Sequence, residues 1–270
     1  MDEPWGGIDP GLLTQGSLRL DAADRVLRIT LDRPEARNAQ TPATWQAFAA
    51  VGDAVRSSPD EVDVVVVTGS GPSFSAGLDR RMFTPEGIPG QMSLASMAAL
   101  DDEGIDAAIT RIQEAFTWLR DVPAMSVAVV HGHAIGAGFQ LALACDMLLA
   151  APDARFAMRE TSWGLVPDLA GTWPLVRSIG YGRALEICAT GREVSADEGY
   201  RLGFVTRVDA DPDAVLADLM TSMRATPPGA VRELVALLRG APERTAVEQQ
   251  AAERAAQARR LRSLLALLGG

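Results

Sequence analysis

Two turns rich in small residues are the parts of this chain best suited to chemistry. Residues 74–79 follow a β-branched run, and residues 134–140 follow the strand-like segment 126–130. A strand-to-helix turn of this kind exposes backbone N–H groups at a helix start, where they can stabilise a developing negative charge. Two such turns in one chain predict a pair of donors, the arrangement called an oxyanion hole.

Three polar residues after the second turn are candidates for acid/base chemistry: two carboxylates and one amide. Gln140 lies on the helix that this turn begins, and Glu160 and Asp168 lie in a predicted edge-strand and loop region. Two carboxyl groups whose pKa values differ can act as base and acid in a proton transfer, whereas an amide cannot. The structural alternatives are a loop cap for Asp168 after Pro167 and a surface or ion-paired role for Glu160.

Three generic motifs are disfavoured. The glycines of residues 136–138 begin a dinucleotide-binding fingerprint, but Leu141 occupies the position of its third glycine. No G-x-S-x-G sequence is present, which disfavours a serine hydrolase. His131 and His133 lack metal-type spacing, so we expect structural roles for both.

Composition excludes further classes of function. The net charge is −10, and no basic block precedes the mixed-charge C-terminal helix, which argues against nucleic-acid and anionic-membrane partners. All 25 basic residues are arginine, which excludes Schiff-base chemistry on lysine. Cys145 and Cys188 lie in apolar segments, so we expect reduced thiols and no metal site. With no signal-peptide pattern and no apolar run of membrane-spanning length, we expect a cytoplasmic protein.

Alternating strand-like and helix-like segments predict an α/β architecture. In the first half of the chain we expect a hairpin over 17–31 with its turn at 21–24, a helix starting at Thr41-Pro42 and a doubly buried strand at 64–68. A mobile loop over 80–104 and a helix from Ile105 to Leu119 should follow. In the second half we expect a short strand near 155–158, a helix over 175–190, a capping box at Ser195 and Glu198, and a last strand at 204–208.

Three regions are expected along the chain: a loose leader (1–16), an α/β core (17–209) and a C-terminal helical region (210–270). The last helix, about 243–268, has many alanines and few large apolar residues before Leu261. Because such a helix buries little on its own core, we expect it to pack on a neighbouring subunit.

Several ordered segments resemble the enoyl-CoA hydratase/isomerase, or crotonase, superfamily over nearly the whole chain from about Ser17 onward. In chain order they are residues 33–39, 74–79, 131–146, 164–167, 190–192 and 202–205. The resemblance implies a spiral core of repeated ββα units and a helical C-terminal region that builds homotrimers or dimers of trimers. It also implies an acyl-CoA thioester substrate, with coenzyme A present as part of the substrate and no separate cofactor.

The resemblance also assigns roles to residues. The two N–H groups that polarise the thioester carbonyl fall on Leu78 and on Ala137, where many relatives have glycine. An alanine serves equally well as a donor provided that its φ is negative. The residues expected to line the coenzyme A portion are Arg37, Ala39, Ala76, Gly77, Leu78, Asp79 and Gly136.

The acid/base positions favour isomerisation. Family hydratases use two glutamates, and the first falls on Gln140 here and the second on Glu160; loss of one such group costs about 10²–10⁴-fold in rate. Dienoyl-CoA isomerases share the spacing of Glu160 and Asp168, although they also have an aspartate where Gln140 stands. Double-bond isomerisation is therefore the first hypothesis. Hydration with Gln140 positioning the water is the second, and a CoA-ester-binding paralogue without activity is the third.

Overall fold

Two β-sheets position the candidate site in the computed structural model, which describes residues 7–227 and 229–268. The strands, in chain order, are β1 Leu18–Ala23, β2 Val26–Leu31, β3 Val64–Gly69, β4 Met125–Val130, β5 His133–Ile135, β6 Met147–Ala150, β7 Arg155–Ala157, β8 Val194–Ser195 and β9 Arg207–Val208. The larger sheet has the order β1-β2-β3-β4-β6-β9, and the smaller has the order β5-β7-β8. From β2 to β9 the larger sheet is parallel, and β1 pairs with β2 antiparallel.

Helices cover both faces of the larger sheet. They are α1 Pro10–Gly16, α2 Pro42–Ser57, α3 Leu94–Ala98, α4 Asp102–Asp121, α5 Ala137–Ala144, α6 Thr172–Ile179, α7 Tyr181–Thr190, α8 Ala196–Leu202, α9 Pro212–Arg224, α10 Ala230–Gly240 and α11 Ala246–Leu268. Short 3₁₀ turns lie at Pro34–Ala36, Pro59–Glu61, Arg80–Phe83, Glu160–Trp163 and Ala241–Glu243. The predicted α/β class is confirmed.

Strand β3 shows how the core is divided. All six of its residues are buried. Val65 and Val67 pack into the main core with α2 and α4, whereas Val64 and Val66 pack on the opposite face with α9. Successive side chains of a strand point to opposite faces, so an uninterrupted β-branched run fits a strand covered on both sides. The predicted doubly buried strand is confirmed.

Local sequence signals predicted the ends of helices and strands only in part. Thr41 caps α2 by accepting a hydrogen bond from Thr44 N at 3.3 Å, as predicted. The hairpin turn was predicted too early: it lies at Asp24 and Arg25, both with positive φ, which extends β1 to Ala23. The predicted capping box at Ser195 is half formed, because Ser195 Oγ accepts from Glu198 N while the Glu198 carboxylate binds Arg192 instead.

Three other expectations need correction. The region 80–104 contains a 3₁₀ turn and α3, and α4 begins at Asp102 rather than Ile105. The helix predicted over 175–190 is two helices, because Gly180 has φ +80° and ψ 157° and redirects the chain. The last strand is shorter than predicted, spanning only Arg207–Val208.

The predicted leader is only partly described, since residues 1–6 lie outside the described residues. Its remainder is ordered rather than loose. Helix α1 has an Asp9 cap, and Gly16 lies against α2 so closely that a Cβ there would be 2.5 Å from the Ala47 Cβ. Ile8 belongs to the main core.

The C-terminal helices differ in how much they bury. Helix α9 covers the sheet with Leu216, whereas α10 and α11 leave large apolar side chains exposed, among them Leu234, Leu238, Leu261 and Leu264. Among the helices within 7–227 and 229–268, none is both long and apolar enough to cross a bilayer.

Candidate active site

The two predicted turns lie side by side at the carboxyl ends of β3 and β4, the edge where open parallel sheets usually bind ligands. Three backbone hydrogen bonds join them. Phe74 N donates to His131 O at 2.9 Å, Ser75 N donates to His133 O at 2.8 Å, and Ile135 N donates to Ser75 O at 3.0 Å. Strand β5, which the sequence did not reveal, supplies this contact and places the two turns at one site.

Glycine is required where the turns touch. Gly77 has φ +88°, and a Cβ there would lie 2.4 Å from Ile135 O. A Cβ on Gly138 would lie 2.5 Å from Ser75 O. Since real side chains do not tolerate such distances, both positions allow backbone to approach backbone. The Gly77–Leu78 peptide is thereby held against the start of α5.

The N–H groups of Leu78 and Ala137 have no acceptor among the described residues. Around Leu78 the chain is paired: Gln40 N donates to Gly77 O at 2.7 Å, and Asp79 N donates to Gln40 O at 2.9 Å. Ala137 is the first residue of α5, and its φ is not positive, which meets the condition set for an alanine donor. Two adjacent donors of this kind can hold an oxyanion.

Glu160 lies beside the second turn. A Cβ built on Gly136, whose φ is +51°, would be 3.2 Å from Glu160 Oε1. Burial raises the pKa of the half-buried Glu160 carboxyl, hydrogen bonds from its own backbone N–H and from Gln140 oppose the rise, and the charge of Asp168 adds a smaller increase. Its second oxygen, Oε2, is buried without a hydrogen-bond partner in the described chain. A carboxyl group with a raised pKa and an unused oxygen suits proton transfer.

Asp168 is the electrostatic neighbour of Glu160. It is half-buried, and burial raises the pKa of its carboxyl group. Its backbone carbonyl accepts a hydrogen bond of 2.7 Å from Gln113 Nε2 on α4, which fixes the loop. Two neighbouring carboxyl groups with raised pKa values can divide the roles of base and acid.

Gln140 is fully buried, and its side-chain amide is occupied. Nε2 donates to Glu160 Oε1 at 2.7 Å, and Oε1 accepts from Leu169 N at 2.9 Å and from Gly171 N at 3.3 Å. The amide therefore binds the carboxylate and the loop after Asp168 together.

Asp79 is the last residue of the first turn, and its carboxylate is already paired. Its carboxylate binds Arg33 and Arg81, and hydrogen bonds from Arg81 hold the pKa of this carboxyl well below its usual range. The Arg37 carbonyl accepts from Ala76 N at 2.8 Å, while the Arg37 side chain is exposed and Ala39 is half-buried. Two hydrogen-bonded segments therefore carry four arginines, Arg33, Arg37, Arg80 and Arg81, in a chain of net negative charge. These four residues are called the arginine group below.

The histidines and Cys145 lie outside this proton-transfer arrangement, whereas Cys188 is near enough to Glu160 for the charge of that carboxylate to raise the pKa of its thiol in addition to burial. His131 Nε2 bonds Gly71 O at 2.9 Å, and His133 lies 3.5 Å from Ser73 Oγ. Both cysteines are free thiols whose pKa values are raised by burial. Across the described ranges, no group of three or more His, Cys, Asp or Glu side chains could hold a metal ion.

Two residues of the site were missed by sequence reasoning. Gln113 holds the Asp168 carbonyl from α4, and nothing local in the sequence pairs these positions. Gly171 allows the loop to approach Gln140, since a Cβ there would lie 2.6 Å from Gln140 Cγ. The glycine soon after Asp168 was the one available signal for such an approach.

An α/β protein with two backbone donors beside two half-buried carboxyl groups can polarise a carbonyl and move protons next to it. The profile of one family, enoyl-CoA hydratase/isomerase, matches residues 21–263. The chain therefore belongs to the enoyl-CoA hydratase/isomerase family.

Relatives with different names match comparably well. The chain is 32% identical over 217 residues to the probable enoyl-CoA hydratase echA8 of Mycobacterium tuberculosis, covering 79% of this chain and 75% of that protein. It is 33% identical over 211 residues to human mitochondrial Delta(3,5)-Delta(2,4)-dienoyl-CoA isomerase, covering 74% of this chain and 60% of that protein.

A solved structure extends the likeness to the fold. It is a "putative enoyl-CoA hydratase" from Thermobifida fusca YX in complex with acetoacetyl-CoA, which is 40% identical with a TM-score of 0.88. The alignment covers 95% of this chain and 99% of that one. The predicted crotonase-like fold is confirmed by this likeness.

Proposed function

We propose that this protein isomerises a double bond in an enoyl- or dienoyl-CoA. The observation that carries the proposal is that two half-buried carboxyl groups, Glu160 and Asp168, have pKa values raised by burial, and that Glu160 lies beside a donor N–H with no acceptor among the described residues. An amide occupies the third acid/base position. Proton relocation needs one base and one acid, and two neighbouring carboxyl groups supply both.

In the proposed reaction the thioester oxygen accepts hydrogen bonds from Leu78 N–H and Ala137 N–H. Glu160 removes a proton from the carbon next to the carbonyl, and the electron pair moves onto the oxygen to form an enolate. The enolate then collapses toward a distal carbon, which takes a proton from Asp168. Proton exchange between the two carboxyl groups, directly or through solvent, restores the starting state.

The arginine group supports a coenzyme A ester as substrate. Guanidinium groups recognise phosphates by charge-assisted hydrogen bonds. The four arginines lie on the segment that carries the first donor, Leu78, and on the segment hydrogen-bonded to it, and Asp79 binds Arg33 and Arg81. The related T. fusca structure contains acetoacetyl-CoA, which is consistent with the same ligand class here.

Enoyl-CoA hydration is the second candidate, because several relatives are named as hydratases. Hydration in this site would need Glu160 to act on a water without a second carboxylate at Gln140. The three hydrogen bonds of the Gln140 amide leave it little freedom to hold that water. If hydration occurs, we expect Gln140→Glu to increase it, because the substitution restores a second carboxylate.

To test the proposal, purified protein is incubated separately with a 3,5-dienoyl-CoA, a 3-enoyl-CoA and a 2-enoyl-CoA. The products are identified by mass spectrometry and followed by absorbance. We expect isomerisation, reduced about 10²-fold or more in Asp168→Asn. Fast water addition to the 2-enoyl ester, undiminished in Asp168→Asn, would overturn the isomerase proposal in favour of a hydratase. Binding of all three esters without turnover would instead indicate a non-catalytic paralogue.

We also propose that α10 and α11 mediate assembly into a homotrimer or a dimer of trimers. The exposed leucines on these helices, including Leu234, Leu238 and Leu261, support this proposal. Analytical ultracentrifugation tests it; a monomer at micromolar concentration would contradict it.

A further inference from the structure

The hydrogen bonds of Gln140 allow only one orientation of its amide. The N–H groups of Leu169 and Gly171 can only donate, so the atom that faces both must be the amide oxygen. Reversing the amide would set its NH₂ group against two donors inside a fully buried site. The NH₂ group must therefore face Glu160.

This fixed donor distinguishes the two oxygens of Glu160. Oε1 always meets an N–H, at 2.7 Å, and so must act as an acceptor. A proton on Oε1 would compete with that donor, so a protonated Glu160 carries its hydrogen on Oε2. Oε2 is the buried oxygen that has no partner among the described residues.

The same amide shapes the loop that carries Asp168. Ala170 lies between the two donors with φ +62°, a conformation that costs a non-glycine residue energy unless its surroundings hold it. N–H groups on either side of such a residue converge on one acceptor, as in anion-binding nests. Here the acceptor is Gln140 Oε1, which anchors the loop directly after Asp168.

We propose that Gln140 is the positioning residue of this site: it selects Oε2 of Glu160 as the oxygen that transfers the proton, and it holds the Asp168 loop in place. This role rests on the proposed function, because it matters only if Glu160 and Asp168 move protons. An amide thereby performs a task for which two carboxylates are unsuited, since facing carboxylates must share a proton.

Two variants separate the two halves of this role. Gln140→Met keeps the length of the side chain but removes both the donor and the acceptor. We expect kcat to fall about 10²-fold through misplacement, with little change in KM. We also expect the acid limb of the pH–rate profile to move to higher pH, since the carboxylate loses a stabilising N–H.

Gln140→Glu retains an acceptor for Leu169 N and Gly171 N but loses the donor to Glu160. We expect a melting temperature closer to that of the wild type than for Gln140→Met. The acid limb should move to higher pH than in either of the other proteins, because a proton is shared between the two glutamates. If Gln140→Met fails to fold, this variant still tests the selection of Oε2.

Ser126→Ala is the control, because it removes a buried hydrogen bond to Asp146 far from the site. We expect it to lower the melting temperature and leave the pH–rate profile unchanged. Glu160→Gln is measured in parallel. An inactive Glu160→Gln, together with kcat and pH profiles unchanged in both Gln140 variants, would overturn the inference and leave the proposed function standing. A fully active Glu160→Gln would overturn both.

Discussion

Two buried polar clusters lie at opposite ends of the strands of the main sheet, one at the amino ends and one at the carboxyl ends. They differ in how completely their polar atoms are hydrogen-bonded. The clamp cluster (Ser126, Asp146 and Arg239) lies at the amino edge, where β4 and β6 begin. Arg239 reaches from α10 and binds Asp146 through Nε–Oδ1 at 2.7 Å and Nη2–Oδ2 at 2.6 Å. It also donates to backbone carbonyls at and after the end of α4, those of Leu119, Arg120, Val122 and Ala124.

The site cluster (Gln140, Glu160 and Asp168) lies at the carboxyl edge and is incomplete. Both polar atoms of the Gln140 amide have hydrogen-bond partners, but Glu160 keeps one buried oxygen without a partner in the part of the chain described. Both carboxyl groups have raised pKa values because burial disfavours their charge. An unpaired buried polar atom in a folded protein calls for an explanation, and a chemical role is one. The comparison indicates that the clamp cluster stabilises the fold, whereas the site cluster keeps a buried polar atom free to bind another group.

The largest expected effect is on activity at the site cluster. Glu160→Gln should lower kcat/KM for the dienoyl-CoA by about 10²–10⁴-fold, because the base is lost. Its melting temperature should not fall, since the variant removes a buried charge whose second oxygen lacks a partner. Steady-state kinetics and thermal unfolding measure both effects, with the exposed Glu103→Gln as the matched control. A large fall in melting temperature would show that the site cluster is structural after all.

The next effect is on stability at the clamp cluster. Arg239→Met should lower the free energy of unfolding by about 3–5 kcal/mol, because it leaves Asp146 unpaired in a largely buried position. The specific activity of the folded fraction should stay unchanged. Urea unfolding measures the loss, and the exposed Arg254→Met should change stability by no more than about 0.5 kcal/mol. An equal effect of the two variants would remove the distinction between the clusters.

A smaller effect concerns pH. Glu160 must be a carboxylate to act as base, and its pKa is raised by burial and by Asp168. The rate should therefore begin to fall at a higher pH than an ordinary glutamate would cause. Asp168→Asn should leave this acid limb in place, because asparagine resembles the protonated Asp168 that the mechanism needs, and it should remove the alkaline limb at which Asp168 loses its proton. The pH dependence of kcat/KM measures both limbs; an alkaline limb that persists in Asp168→Asn would mean that Asp168 is not the acid.

The smallest effect concerns the glycine beside Glu160. Gly136→Ala should destabilise the protein by about 1–3 kcal/mol, since alanine is strained at φ +51°. It should also lower activity by displacing Glu160. Gly182→Ala is the control, because it has open space and no positive φ, and it should stabilise by about 0.4–1 kcal/mol. Equal effects in denaturant unfolding would refute a special role for Gly136.

The features that could be predicted from the sequence are those that depend on residues close together in the chain. The doubly buried β3, the cap of α2 and the two small-residue turns depend on neighbours within a few positions. Strands β5 and β8 have only three and two residues, and they pair through β7 with partners distant in sequence. Such short strands have too little periodicity to predict.

The roles of the site residues divide in the same way. Glu160 and Asp168 were proposed from residue type and family resemblance, and the structure places them as electrostatic neighbours. The occupied amide of Gln140 could not be predicted, because its partners Leu169 and Gly171 are 29 and 31 positions away.

The sequence by itself determined the α/β class, the family and the residue types available for proton transfer. Each of these depends on local pattern or on ordered motifs, which survive without knowledge of distant contacts. Only the tertiary structure decided that the two turns meet through β5 and that the Gln140 amide has a single orientation. It also decided which oxygen of Glu160 lacks a partner. These features arise from backbone groups far apart in the chain whose hydrogen bonds must be satisfied together in a buried space.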